Sequence, residues 1–167
     1  KSTLIDLIGG FLIPLSGEIF WENKPIHTLP PNLRPSSSIF QTNNLFDHLS
    51  CEVNASLGIV PSGKLNYEDK KRLNIIFDDL GIKDIIGRFP KEISGGQQAR
   101  VVLARSLLSK KPIILMDEPI SALDNETRGN TLKIIKKNIE KYRMTLILVS
   151  HNIQDRKSLG ARVIKLV

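Results

Sequence analysis

Two short apolar runs flank an amphipathic helix pattern in the last third of the chain, and that arrangement leaves few folds open. The first, KPIILMDEP, covers Lys111 to Pro119; the second, MTLILVSHN, covers Met144 to Asn152. Each is too short for a helix and reads as a buried strand ending in polar residues. Between them, from Asn125 to about Tyr142, Leu132, Ile134, Ile135 and Ile139 lie on a helix-like segment. Strand, helix and strand at this spacing make a βαβ unit, whose strands lie parallel because no tight turn can join them. The ARVIKLV stretch, Ala161 to Val167, predicts one more strand.

Upstream the pattern is less regular. Leu4, Ile5, Leu7 and Ile8 form a helical stripe that stops at Gly9 and Gly10. SGEIFWENKPI predicts a hairpin with turns at Ser16-Gly17 and Asn23-Lys24, and SSSIFQ a short strand ending at Gln41. From Asn44 to Pro90 the sequence is helical and loop-broken, with a polar turn at Pro61-Ser62-Gly63 and a helix from Asp69 to Leu80 that exits at Gly81.

Composition excludes several classes. With 167 residues, the chain fits one domain with a real core. No apolar stretch approaches about 18 residues, so no membrane-spanning helix is expected, and KSTLIDLIGG does not read as a secretory leader. Cys51 is the single cysteine, which removes internal disulfides and multi-thiolate zinc sites and suits a reducing cytosol. The net charge of +7 invites an anionic partner. Its lysines are scattered, however, and Lys133, Lys136 and Lys137 share a helix with Ile134, Ile135 and Ile139, which reads as a solvated face.

The chemistry gathers at strand ends. Ligands in open α/β sheets sit beyond the carboxyl ends of the strands, where the first run places Asp117 and Glu118. A carboxylate reaching Mg²⁺ beside another that holds a water is what phosphoryl transfer needs; two acids capping the next helix is the other reading. EISGGQQARVVLAR, Glu92 to Arg105, sets Ser94, Gly95, Gly96 and Gln97 before a helix-forming run. Its free N–H groups and helix dipole seek an anion, yet it holds no lysine. The opening Lys1-Ser2-Thr3 before a helix is the tail of a phosphate-cradling loop, G-x-x-x-x-G-K-[ST]. Gln41 and His151 close strands, and Asp124, at the end of Ser-Ala-Leu-Asp, reads as a helix N-cap. Each signal is weak, but their order and separation are not.

Taken together, these motifs resemble the nucleotide-binding subunit of ABC transporters over the whole length of the chain. Where that family usually has Leu-Ser-Gly-Gly-Gln, this chain has Ile93-Ser94-Gly95-Gly96-Gln97, and Ala99 stands where Gln or Arg is common. The resemblance implies a P-loop NTPase fold with a parallel core sheet, a small antiparallel β part and a helical subdomain at about 44–110. It also implies a head-to-tail homodimer in which the turn at Ser94 caps the γ-phosphate held by the partner's phosphate loop. By the same resemblance, Lys1 binds the β- and γ-phosphates of ATP, Ser2 holds Mg²⁺ and Thr3 meets the α-phosphate. Asp117 supports Mg²⁺, Glu118 polarises the attacking water and His151 contacts the γ-phosphate. Gln41 senses metal and water, while Ser94, Gly95, Gly96, Gln97 and Asp124 supply the cross-subunit contact.

A compact Gln41-to-Ser94 interval argues against the coiled-coil and zinc-bearing DNA-repair branches, so no nucleic-acid partner is expected. The wording FQTNNLFDHLS is similar to that of bacterial thiamine-importer ATPases, and importers of inorganic anions, spermidine or ferric ion share much of it. The implied partners are a transmembrane permease and a periplasmic or extracellular substrate-binding protein, with the subunit peripheral on the cytoplasmic face of the inner membrane. Because the chain opens at Lys1 without glycines and ends on a strand, the reading expects a domain truncated at the N-terminus and at the C-terminus. The 167 residues alone are then expected to lack turnover. An ABC-like remnant without hydrolysis is the alternative.

Overall fold

The computed structural model describes residues 1–40, 44–118, 120 and 123–164. Its centre is a three-stranded parallel sheet in the order β3 (Ser36–Ile39), β4 (Ile113–Asp117), β5 (Thr145–Val149). Ser36 pairs with Ile113 and Ile39 with Met116, while Asp117 pairs with Val149. The all-apolar run of β4 is explained by its two covered faces. Ile113 and Leu115 pack with Ile5 of α1 (Ser2–Gly9) on one face. Ile114 and Met116 belong to the larger core built around α4 (Gly95–Leu108) on the other. Alternation along a pleated strand sends neighbours to opposite sides, so both sides must be apolar.

The predicted βαβ unit is present, with α5 (Asn125–Lys141) joining β4 to β5. On α5, Leu132 and Ile135 are buried while Lys133 and Lys137 are exposed, as expected of a solvated basic face. β5, predicted to be buried, is half-buried with Thr145 exposed, because among the described residues it has a strand on one side only. After β5 comes α6 (Ile153–Leu159), which no periodicity in the sequence announces; Gly160 ends it at φ 64. Residues 161–164 then carry no strand, contrary to expectation, and 165–167 lie outside the described residues.

The predicted hairpin forms as β1 (Phe20–Trp21) and β2 (Lys24–Pro25). Its turn sits at Glu22 and Asn23, one residue before the expected place, with φ 48 and 62. Tight hairpins demand positive φ at both central residues. The helices of the middle region are α2 (Cys51–Ser56) and α3 (Tyr67–Asp79). α3 starts earlier than the predicted Asp69, because the Asn66 side chain accepts from the Asp69 backbone N–H at 2.8 Å and caps it. Leu73, Ile76 and Phe77 of α3 join Val101, Leu103 and Leu107 of α4, and Ile114, Met116 and Ile135, in one core.

α1 is anchored at its C-terminal end. Gly10 adopts φ 83 beside the Arg34 side chain, where a Cβ would come within 2.8 Å of Nε. Buried Arg34 donates to the carbonyls of Leu29 at 2.7 Å, His27 at 2.8 Å and Ile8 at 3.5 Å. This fixes the last turn of α1 next to the amino end of β3 and leaves its first turn, with Lys1, Ser2 and Thr3 exposed, to face away from it. Among the described residues, no helix is long and apolar enough to cross a membrane.

Candidate functional site

The carboxyl ends of β4 and β5 bring the first group of predicted residues together. The Glu118 N–H donates to the Val149 carbonyl at 3.1 Å, prolonging the β4–β5 ladder by one residue. There the backbone of Glu118 turns to φ 47, a left-handed conformation uncommon outside glycine and concentrated at functional sites. The turn after β5 carries His151, and its Nε2 lies 2.9 Å from Oε1 of Glu118. The glutamate side chain is 18% exposed and the imidazole 72%. Asp117, the last residue of β4, is half-buried, and nothing among the described residues donates to its carboxylate. An open cleft of ≈ 550 Å³ lies here, lined by Glu118, Arg128, His151, Asn152, Ile153 and Gln154.

Below this cleft is a polar cluster that the sequence did not reveal. Arg128 of α5 donates through Nε to Asp155 Oδ1 at 2.7 Å and through a terminal nitrogen to the other carboxylate oxygen. It also reaches the Ile120 carbonyl at 3.1 Å and the Ser150 hydroxyl at 3.4 Å. Burial pushes the Asp155 carboxyl up, but the bonds from Arg128 and Ser150 outweigh it and hold it below its ordinary value. The same Asp155 bonds raise the Arg128 guanidinium against its own burial. Nothing in a single sequence pairs residues 27 positions apart; Arg128 reads as an exposed helix residue four after Asp124.

The second group is the turn before α4. Ser94 is its N-cap: its hydroxyl accepts from the Gln97 N–H at 3.3 Å, and the Gln97 side chain accepts from the Ser94 N–H at 2.9 Å. This reciprocal capping box satisfies the first donors internally. Ser94 and Gly95 nevertheless remain on the surface. Gly96 is buried against α5, where a Cβ would stand 2.7 Å from the Thr127 methyl, and a Cβ on Gly95 would stand 3.1 Å from Leu123. The turn is therefore seated on the start of α5, whose N-cap is Asp124. Its side chain accepts from Glu126 N–H at 3.1 Å and Thr127 N–H at 3.0 Å. Bonds from Thr127, backbone first, keep the Asp124 carboxyl below its ordinary range.

Thus Glu118 and His151 meet, and Gly95 and Gly96 meet the turn capped by Asp124. Lys1, Ser2 and Thr3 are exposed at the start of α1, with no hydrogen bond or ion pair from their side chains among the described residues. Gln41 lies outside the described residues, as do Pro119, Ser121 and Ala122.

Comparison with known proteins gives a consistent picture. The ABC transporter family profile matches residues 1–121. The thiamine import ATP-binding protein ThiQ of Aliivibrio fischeri is 44% identical over 161 residues, which is 96% of this chain and 69% of that protein. Its namesake from Escherichia coli is 43% identical over 162 residues, 97% of this chain and 70% of the relative. Among solved structures, the dimeric ATP-binding cassette MJ0796, in a post-hydrolysis state bound to ADP and Pi, superposes with a TM-score of 0.76 at 29% identity. That match covers 94% of this chain and 72% of the other.

Proposed function

The chain belongs to the ABC transporter family, and from that premise we propose that it is the ATP-hydrolysing subunit of an importer whose cargo is thiamine. The family assignment carries the ATPase activity. The cargo rests on the resemblance to thiamine import proteins at 43–44% identity. Within the site, the observation that carries hydrolysis is the approach of His151 to Glu118 at 2.9 Å across the ends of two parallel strands.

Glu118 is the group that orients and polarises a water for attack on the terminal phosphate of ATP. Its carboxylate is only 18% exposed and faces the open ≈ 550 Å³ cleft, from which a water and a terminal phosphate can approach it. His151, mostly exposed on the facing turn, is placed beside Glu118 to contact a terminal phosphate oxygen. Lys1, Ser2 and Thr3 face outward on the first turn of α1, where cation, hydroxyls and helix dipole favour the phosphate chain.

The donor set fits Mg²⁺. Among the described residues no group of three or more His, Cys, Asp or Glu side chains could cage a metal ion. Mg²⁺ is instead held by one or two protein oxygens together with substrate phosphates, and Asp117 offers a half-buried carboxylate without a donor among the described residues. Ser2, Asp117 and Gln41 are the residues that would hold it. When bound there, the ion would neutralise charge on the phosphate oxygens.

The turn at Ser94 completes the site of a second copy. The Ser94 hydroxyl and the backbone N–H groups at Gly95 and Gly96, flanked by Asp124, would be the anion donors, the Gln97 N–H being engaged by Ser94 Oγ, and the turn holds no phosphate-binding lysine of its own. A head-to-tail homodimer supplies one. Attachment to the cytoplasmic face of the membrane goes through a permease, with a substrate-binding protein delivering cargo outside. The test is ATPase activity of the full-length protein assembled with its permease, together with uptake of labelled thiamine into vesicles. Glu118→Gln is expected to lower kcat by about 10³-fold while ATP still binds. Undiminished hydrolysis in that variant would overturn the assignment of Glu118, and transport of another cargo in place of thiamine would overturn the cargo.

A further inference from the structure

We propose that Arg128 is a positioning residue for hydrolysis: one guanidinium fixes the chain just after Glu118 and the turn that carries His151, and so aims the two side chains at each other. The proposal rests on the ATPase reading of Glu118 and His151 given above.

After the ladder bond from Glu118 N–H to the Val149 carbonyl, the two chain segments lead to different helices. One continues through Ile120 into α5, the other through His151 into α6. Arg128, near the start of α5, carries a side chain that also spans them. It donates to the Ile120 carbonyl at 3.1 Å, two residues after Glu118, and to Asp155 at 2.7 Å. Asp155, 1% exposed on the first turn of α6, also accepts from the Ser150 hydroxyl. That hydroxyl in turn accepts from the Asn152 N–H at 3.0 Å. The residues on both sides of His151 are thereby tied, through Asp155, to the same guanidinium that holds Ile120.

His151 itself needs this support. Its ring is 72% exposed, so apart from the contact with Glu118 its direction depends on the backbone of residues 150–152. Those bonds converge on a planar five-donor fork, which a lysine, a single point charge on a flexible stem, cannot reproduce. Arg128 also lines the cleft beside Glu118 and His151, so a shift of its head moves the walls of the site directly.

The experiment measures steady-state ATPase kinetics, ATP binding and thermal unfolding of the full-length protein in its transporter assembly, for the wild type, Arg128→Lys, Ser150→Ala and Glu118→Gln. Arg128→Lys keeps the charge and removes the fork. It is expected to lower kcat by about 10²-fold, the scale of a misplacement near 1 Å. KM and ATP affinity are expected to stay within about threefold, since only transition-state geometry is lost. Ser150→Ala, which leaves the ion pair intact, is expected to give a smaller loss of the same kind, in kcat alone. A merely structural role would instead lower kcat in proportion to the folded fraction, or move kcat and KM together; either result overturns the proposal. So does an Arg128→Lys enzyme within twofold of wild-type kcat. If Arg128→Lys does not fold, Ser150→Ala decides, and an unchanged kcat there is equally fatal. A wild type without ATPase activity, or a fully active Glu118→Gln, overturns the underlying reading; an active wild type with unaffected Arg128 and Ser150 variants overturns only the present inference.

Discussion

The strand-end cluster and the turn before α4, both proposed above to meet a phosphate, are finished to different degrees. At the strand ends the chain supplies its own partners: His151 reaches Glu118, and the Arg128–Asp155 pair locks the loops beneath them. At the Ser94 turn the side-chain bonds close back on the turn itself, in a capping box, and Ser94 and Gly95 are exposed. One region is organised by contacts between distant segments, the other by local contacts and by the seat that Gly96 makes on α5. The difference is what the proposed division of the site between two copies would require. The half that performs chemistry must be rigid within one subunit, and the half that closes over it must stay open until a partner arrives.

Perturbing each half should therefore have distinct consequences. The largest effect on stability is expected from Asp155→Asn, which leaves a largely buried guanidinium without its counter-charge and should cost about 3 kcal/mol near neutral pH. The sign of its pH dependence follows from the depressed carboxyl of Asp155. Its contribution is complete above the ordinary value of 3.8 and is lost as pH falls through the lower folded value. Denaturant titrations should thus show the gap between wild type and variant closing only in acid; a constant gap would mean that the ion pair is not its source.

A smaller loss is expected at the other half. Gly96→Ala pushes a Cβ to 2.7 Å from the methyl of Thr127, a β-branched side chain with little rotamer freedom. Overpacking of this kind costs about 1–3 kcal/mol. Thr127→Ser in the same chain removes the methyl and should recover most of that loss in thermal unfolding. Failure of the second change to rescue the first would mean that the glycine serves the outward face of the turn rather than its seat.

Much of this division was legible in the sequence. The βαβ unit announced itself because β4 is covered on both faces, which forces an unbroken apolar run, and because α5 has one buried stripe. Asp117, Glu118 and His151 were visible as polar residues closing apolar runs, and Ser94-Gly95-Gly96-Gln97 and Asp124 as helix starts. What local pattern could not carry was pairing at a distance. Arg128 and Asp155 look like surface residues of two unrelated helices until the fold brings them together. Arg34 reads as a loop cation, yet it is buried and holds three carbonyls. That β5 has one strand neighbour among the described residues, and that 161–164 form no strand, escaped for the same reason, since an apolar run states that a strand could form, not how many neighbours it finds.

The central claim, that the Ser94 turn completes the site of a second copy, is tested most directly by sedimentation velocity of the full-length Glu118→Gln protein with and without ATP. Slowed hydrolysis should preserve the closed state, so the account predicts monomers without nucleotide, dimers with ATP, and monomers again when Ser94→Arg is added. ATP-dependent dimers that persist with Ser94→Arg, or no dimers under any condition, would contradict it.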